Sequence, residues 1–173
     1  GGCQTEPERE GPRVTLTIRD LLARKGDPLQ LEPLTGELGM DRPIPDPEVA
    51  SPGLALAGYT GRFMPRRMHV LGETEITYLN TLEAGERRSR LEQFFQFELP
   101  CIFVTKNQEV PADLIDLARV RGVPLLRSRL KTAEFYRRIK PIVEAAFAPR
   151  STLHGSLADV YGVGLLFIGK SGI

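Results

Sequence analysis

Two unbroken apolar runs, Cys101-Ile-Phe-Val-Thr and Val123-Pro-Leu-Leu, flank a single amphipathic stretch, and this constrains the fold more than any other feature. A strand buried on one face alternates apolar and polar residues, whereas a strand covered on both faces reads as a continuous apolar run. Between the two runs, Pro111 to Arg121 carries Leu114, Ile115, Leu117 and Ala118 at helical spacing, and Gly122 closes it. Strand, helix and strand in this pattern imply a parallel pair joined by a right-handed crossover. The chain is therefore expected to be α/β, a small mixed or parallel sheet flanked by helices and built from βαβ units.

The neighbouring segments extend that pattern. Met68 to Leu71 reads as a strand, Thr74 to Leu82 as a helix, and Glu83 to Phe95 as a second helix with Leu91, Phe94 and Phe95 on one side. Lys131 to Phe147 is a long helix with Phe135, Ile139, Ile142 and Val143 inward, ended by Pro149. Upstream, Val14 to Ile18 alternates as a short strand or an extended lead-in. Thr17 and Asp20 have the spacing of an N-cap, and Gly26 stops the short helix that follows. Leu29, Leu31 and Leu34 read as a strand, and the prolines of Asp41 to Pro47 keep that segment irregular. Ser51-Pro52-Gly53 opens a helix with Ser51 as cap and Pro52 at its first position, closed by Gly58.

Composition narrows the function. Of 173 residues, 41% are hydrophobic and 26% charged, which excludes wholesale disorder. A formal net charge of +1 argues against a dedicated nucleic-acid binder. No apolar run approaches the length of a membrane helix, and the polar, acidic start lacks the basic and apolar regions of a signal peptide. Residues 1–12, which open on Gly1-Gly2, read as a tail outside the fold, either disordered or left by trimming. Cys3 and Cys101 have no metal spacing, no metal site is expected in this chain, and a reducing compartment is the simpler reading.

Past Pro149 the character of the chain changes, and a domain boundary is expected there. Leu153 to Tyr161 and Leu165 to Ile168 read as two strands around the Gly162-Val-Gly turn. The second runs into Gly169-Lys170-Ser171-Gly172-Ile173. A phosphate-binding loop is Gly, four residues, then Gly-Lys-Ser/Thr, between a buried strand and a helix; its small residues let backbone N–H groups converge on phosphate oxygens. These five residues would supply the first glycine and the four spacers, although an ordinary turn explains such an ending more often. His69, beside Arg66 and Arg67, reads as a surface or half-buried strand residue. Cys101 reads as a buried, inert thiol and Asp159 as a turn or cross-strand residue. Between Arg119 and Lys140, basic residues outnumber the single acid Glu134. This could attract an acidic partner or a phosphorylated metabolite, but solvated helix faces and subunit contacts explain most such runs.

From Pro149 onward, PRSTLHGSLADVYGVGLLFIGKSGI resembles HPr kinase/phosphorylase, the bacterial enzyme that phosphorylates a serine of the sugar-transport carrier HPr. Further matches are DRPI at 41–44, SPGLALAGY at 51–59, VLGETEITYL at 70–79, ERRSRLEQFF at 86–95 and PCIFVT at 100–105. The resemblance implies a cytoplasmic, hexameric parent using ATP or pyrophosphate with Mg to phosphorylate HPr, and inorganic phosphate to remove that group. It implies an N-terminal α/β domain over 13–149, likened to the substrate-binding domain of Mur ligases. Residues 150–173 would then be the first β-hairpin and truncated phosphate loop of a P-loop kinase domain. His154 matches the family's active-site histidine, and Gly169, Lys170, Ser171, Gly172 and Ile173 match the start of its nucleotide loop. The loop lysine, the acidic catalytic residues and the HPr-docking region have no counterpart in these residues, so the 173-residue chain alone is expected to be inactive. The alternative is a non-catalytic regulatory or assembly module of the same ancestry.

Overall fold

A computed structural model describes residues 15–149. Thr17 sets up the first helix. Its hydroxyl accepts from the Asp20 amide at 3.2 Å, while its own amide donates to the Asp20 carboxylate at 2.9 Å. That reciprocal pair starts α1 (Ile18–Leu22), the cap expected from the spacing of the two residues. Thr17 also bridges Pro43, so the lead-in is extended, and the Ile44 amide donates to the Leu16 carbonyl at 2.8 Å. The proline-rich segment thus holds no helix or strand of its own yet is anchored, with Ile44 only 4% exposed.

Five strands form one sheet in the order β1-β5-β4-β3-β2. β2 (Val49–Ala50), β3 (Met68–Leu71), β4 (Ile102–Val104) and β5 (Leu125–Ser128) run parallel to one another. β1 (Leu31–Pro33) lies antiparallel to β5, with Leu31 opposite Ser128, so the sheet is mixed. Pro33 lacks an N–H for a ladder and is confined to this edge strand.

Alternation along the strands divides the core in two. Leu71, Ile102, Val104 and Leu125 point to one face, where α2 (Gly53–Leu56), α3 (Glu73–Thr81), α4 (Ala84–Phe94) and α5 (Ala112–Arg121) pack. Met68, Val70, Phe103 and Leu126 point to the other, covered by α1 and α6 (Thr132–Phe147). Because β2, β3, β4 and β5 are neighbours in chain order, each connecting helix crosses on the same face, and α6 passes to the opposite one. On α6 the expected stripe Phe135, Ile139, Ile142 and Val143 is buried, and the Phe135 ring lies 5.0 Å from that of Phe103. Burying such a ring contributes about 1.5–3 kcal/mol. Pro141 lies inside α6 and does not end it; the helix stops at Phe147, just before Ala148 and Pro149. Gly122 caps α5 in the left-handed region at φ +69°, as its position after the apolar stripe requires.

Ser51 departs from its expected role. α2 begins at Gly53 with Pro52 as its cap residue, and no side chain caps it. The Ser51 hydroxyl instead donates to Glu75 on α3, whose other carboxylate oxygen accepts from the Gly72 amide at 2.9 Å. A distant carboxylate outcompeted the local amide for the same hydroxyl.

At least four of the eight basic residues in the run are engaged by the fold. Arg127 pairs with Glu32 at 2.9 Å, and Arg137 and Arg138 both pair with Glu134. Together they hold the Glu134 carboxyl down at about 2, Arg137 through the larger effect. Arg119 donates to the Leu34 carbonyl at 3.2 Å. Of the partners named, Glu32 and the Leu34 carbonyl lie outside the run, which is why counting acids within it overstated the free charge.

Candidate functional site: a cavity beside the edge strand

His69 is the second residue of β3 and points to the α2–α5 face, in register with Ala50 of β2. It is 1% exposed, which corrects the expectation of a surface or half-buried residue. The reason is aromatic packing that local sequence does not display. Phe63 stacks on the imidazole at 5.0 Å and 28°, and Phe94 from α4 meets it edge-on at 5.8 Å. Phe63 in turn contacts Phe97 at 5.0 Å. Burial pushes the His69 pKa down to about 4; the hydrogen bond to the Pro65 carbonyl opposes this and the Arg67 charge adds to it. The ring is therefore neutral near pH 7.

Its hydrogen bonding is half complete. Nε2 lies 3.1 Å from the Pro65 carbonyl oxygen, and a carbonyl only accepts, so the proton of the neutral ring sits on Nε2. Nδ1 is buried and has no partner among the described residues, and the same holds for Nε of Arg67. Both residues line a cavity of about 220 Å³ whose walls come from residues 50–55, from 59–67 and from His69 itself. Arg62, Arg67 and Ser51 supply its other polar groups, with no Asp or Glu in the lining. Tyr59, Phe63 and Leu54 supply apolar surface. Sequence reading passed over Arg62 and Arg67 as site residues. The available signal was the clustering of Arg62, Arg66 and Arg67 just before the strand that carries His69.

The carboxyl ends of parallel strands are the usual place for a ligand in an open α/β sheet. Here that edge is closed by its own contacts. Thr105, fully buried after β4, shares a 2.7 Å hydrogen bond with the Thr132 hydroxyl at the start of α6. Lys106 and Asn107 hold left-handed φ values of 61° and 49°, and their amides donate to the Leu130 and Ser128 carbonyls, each at 2.8 Å. The Lys106 ammonium pairs with Glu73 on α3 at 2.5 Å.

The remaining candidates divide simply. Cys101 is fully buried and burial pushes its thiol up, so it has no thiolate character, as expected from its apolar strand. His154, Asp159, Gly169, Lys170, Ser171, Gly172 and Ile173 lie outside the described residues. Among the described residues no three His, Cys, Asp or Glu side chains gather as metal ligands, and no helix is long and apolar enough to cross a membrane.

These features define an open α/β domain with a five-stranded mixed sheet and a basic, aromatic cavity against its β2 edge. Residues 16–142 match the family model described as HPr Serine kinase N terminus, and the chain belongs to that family. It is 42% identical over 144 residues to HPr kinase/phosphorylase of Bacillus cytotoxicus, and 40% identical over the same length to those of Bacillus mycoides and Bacillus cereus. Each match covers 83% of this chain and 47% of the relative, so the chain spans about half the length of the curated relatives it matches. A solved structure of the CBS and DRTGG domains from the regulatory region of Clostridium perfringens pyrophosphatase, complexed with its activator diadenosine tetraphosphate, has a TM-score of 0.54. It covers 88% of this chain and 62% of the other at 12% identity, a likeness of fold alone.

Proposed function

We propose that the chain is the N-terminal part of a bifunctional kinase/phosphorylase that phosphorylates a serine of HPr and removes that phosphate. The observation that carries this reading is the 42% identity to a protein named HPr kinase/phosphorylase, over 144 residues or 83% of the chain. In this reading residues 13–149 form an N-terminal domain akin to the substrate-binding domain of Mur ligases, preceded by a tail over 1–12. Residues 150–173 open a P-loop kinase domain. His154 stabilises charge on the transferring phosphoryl group, and Gly169 to Ile173 begin the loop that cradles ATP or pyrophosphate. Magnesium supplies charge neutralisation on the phosphates when bound. The described residues offer no acidic cluster for it, so no step of the reaction is derived through them. The parent is a cytoplasmic hexamer in this reading, with HPr as its partner and no role for nucleic acid or membrane.

The 173-residue chain by itself should transfer no phosphate to HPr from ATP or pyrophosphate in the presence of magnesium. The reading frame that contains it should, and should lose both activities with His154→Ala. Labelled phosphate transfer to HPr measures each. Phosphorylation by the isolated chain, or full activity of the His154→Ala protein, would overturn this assignment.

A second reading, a non-catalytic regulatory or assembly module, is favoured by one observation. A cavity beside β2 is lined by Arg62 and Arg67 with exposed Leu54, Tyr59 and Met64, a surface that the reaction of the first reading does not use. The two readings are compatible in one protein.

A further inference from the structure

An edge strand carries unpaired backbone groups, and proteins commonly blunt such edges with prolines, charges or a covering element. β1, at one edge of the sheet, ends on Pro33. β2, at the other edge, is Val49–Ala50 and contains neither a proline nor a charge. The Met68 amide donates to the Glu48 carbonyl at 3.3 Å, so in this parallel ladder Glu48 and Ala50 turn their peptide groups toward β3. Val49 therefore turns its N–H and C=O outward, and no strand lies on that side among the described residues.

The two residues of β2 also form the shared wall of two hollows, one on each face of the sheet. Val49 points to the α6 side, where Pro47, Tyr136 and Phe147 join it in a groove. Ala50 lines the cavity on the α2 side together with Leu54, Tyr59 and Met64. Of the six exposed large apolar side chains among the described residues, four stand in these two hollows: Leu54, Tyr59, Met64 and Phe147. Apolar surface gathered on both faces of one open edge fits strand addition, in which alternate side chains enter opposite hollows.

The charges select the occupant. On the α6 side, Lys140 stands with Glu48 and Glu144. On the α2 side, Arg62 and Arg67 share the cavity with Ser51, whose hydroxyl holds the Glu75 carboxylate. Both faces thus carry both signs, an arrangement complementary to a copy of itself rather than to a ligand of one charge. Such a pairing also satisfies the backbone reciprocally. About a two-fold axis at Val49, each Val49 amide donates to the Val49 carbonyl of the other copy, the hydrogen-bonded pair of an antiparallel ladder.

We infer that two copies of this chain associate edge to edge through β2, antiparallel about a two-fold axis at Val49. The two sheets become continuous, Leu54, Tyr59 and Met64 are covered on one face and Phe147 on the other, and the Lys140 of each copy faces carboxylates of its mate. The inference rests on neither reading of function, since every residue in it belongs to the described domain.

Sedimentation equilibrium of the 173-residue chain is the test. The mass should rise from one chain toward two and no further, with a midpoint at or below about 0.1 mM. Val49→Pro deletes the outward N–H at a place where an edge strand tolerates proline, and should weaken association by about tenfold or more. If that variant does not fold, Leu54→Glu serves the same purpose at a side chain that is 70% exposed. It sets like charges against each other and should also cost about tenfold. Exchange of the Val49 amide, followed by nuclear magnetic resonance, should slow as the pair forms. A mass of one chain up to about 1 mM, growth beyond two chains, or association untouched in a folded variant would each overturn the inference. So would a Val49 amide already protected in the monomer, because the chain itself would then cover the edge.

Discussion

Thr105, just past the end of β4, and His69, on the neighbouring β3, are both buried and differ in whether their polar atoms are met. Thr105 is 0% exposed and shares its hydroxyl with Thr132 across 2.7 Å. His69 is 1% exposed, meets the Pro65 carbonyl with one nitrogen and leaves the other unpartnered. Around Thr105, the Lys106 ammonium and the amides of Lys106 and Asn107 also have partners within the domain. A buried hydrogen bond adds little net stability when made, but a buried group left unmade costs its full desolvation. The carboxyl edge of the sheet is thus a structural joint between α3, β4 and α6, despite lying where open α/β sheets usually hold ligands. Beside β2, by contrast, Nδ1 of His69 and Nε of Arg67 are buried with no partner among the described residues.

The largest effect that separates the two regions is the pH dependence of folding. Unfolded His69 takes up a proton near pH 6.5, whereas the folded ring resists it until about pH 4. Between those values the unfolded chain binds the extra proton, so stability falls as pH falls. The total loss is about 3 kcal/mol, and above pH 6.5 this contribution is constant. Asp41, Glu73 and Glu134 have lowered pKa values through their Arg or Lys partners, so their contribution is present above the ordinary carboxylate range and is lost at more acid pH. The His69 window therefore opens well above the carboxylate one and meets it only at its acid end. Urea unfolding from about pH 7 down to about pH 4.5 should show the slope, and His69→Gln should remove it. Should that variant fail to fold, titration of the ring protons in the unaltered chain reads the same pKa. A ring that titrates near 6.5 would place His69 in water and erase the contrast with Thr105.

Next in size is the joint itself. Thr105→Val keeps the shape of the side chain and deletes its hydroxyl, leaving the Thr132 hydroxyl without its partner. A loss of about 1–2 kcal/mol is expected. It should appear as a lower urea midpoint at unchanged slope, and at a size independent of pH across the His69 window. An unchanged midpoint would mean that the edge is not held by this pair.

These contrasts explain what the sequence disclosed and what it withheld. The continuous runs at Cys101 and Val123 declared parallel strands buried on both faces, and the helical spacing of Phe135, Ile139, Ile142 and Val143 declared α6. Thr17 with Asp20 declared its cap, because both partners lie within one turn. All of these are local patterns. The burial of His69 depends on Phe94, twenty-five positions further on, and on Phe63, whose ring turns inward to meet it. Ser51 lost its capping role to Glu75, which no spacing rule connects to it. The antiparallel edge strand β1 pairs with a strand more than ninety positions away, and nothing in Leu29 to Leu34 fixes that direction. The cavity was hidden for the same reason: its lining joins three separate stretches. His154 was singled out through family resemblance, and the glycine-rich ending through half of a phosphate-loop motif together with that resemblance; both lie outside the described residues.

The smallest expected effect concerns the ion pair that most conspicuously decorates the carboxyl edge. Lys106 and Glu73 approach to 2.5 Å, but their side chains are 40% and 66% exposed. Water and salt screen such pairs, and two flexible side chains lose entropy in forming them. The loop they border is fixed from beneath. The amides of Lys106 and Asn107 donate to the Leu130 and Ser128 carbonyls, and these bonds hold the two left-handed residues in place. Glu73→Gln should therefore barely move the urea midpoint in low salt, and the difference should vanish near 1 M salt, where the Debye length is about 3 Å. A midpoint loss as large as that of Thr105→Val would reverse the reading of this edge. It would make the exposed pair, rather than the buried hydroxyls and backbone amides, the contact that joins α3 to the end of β4.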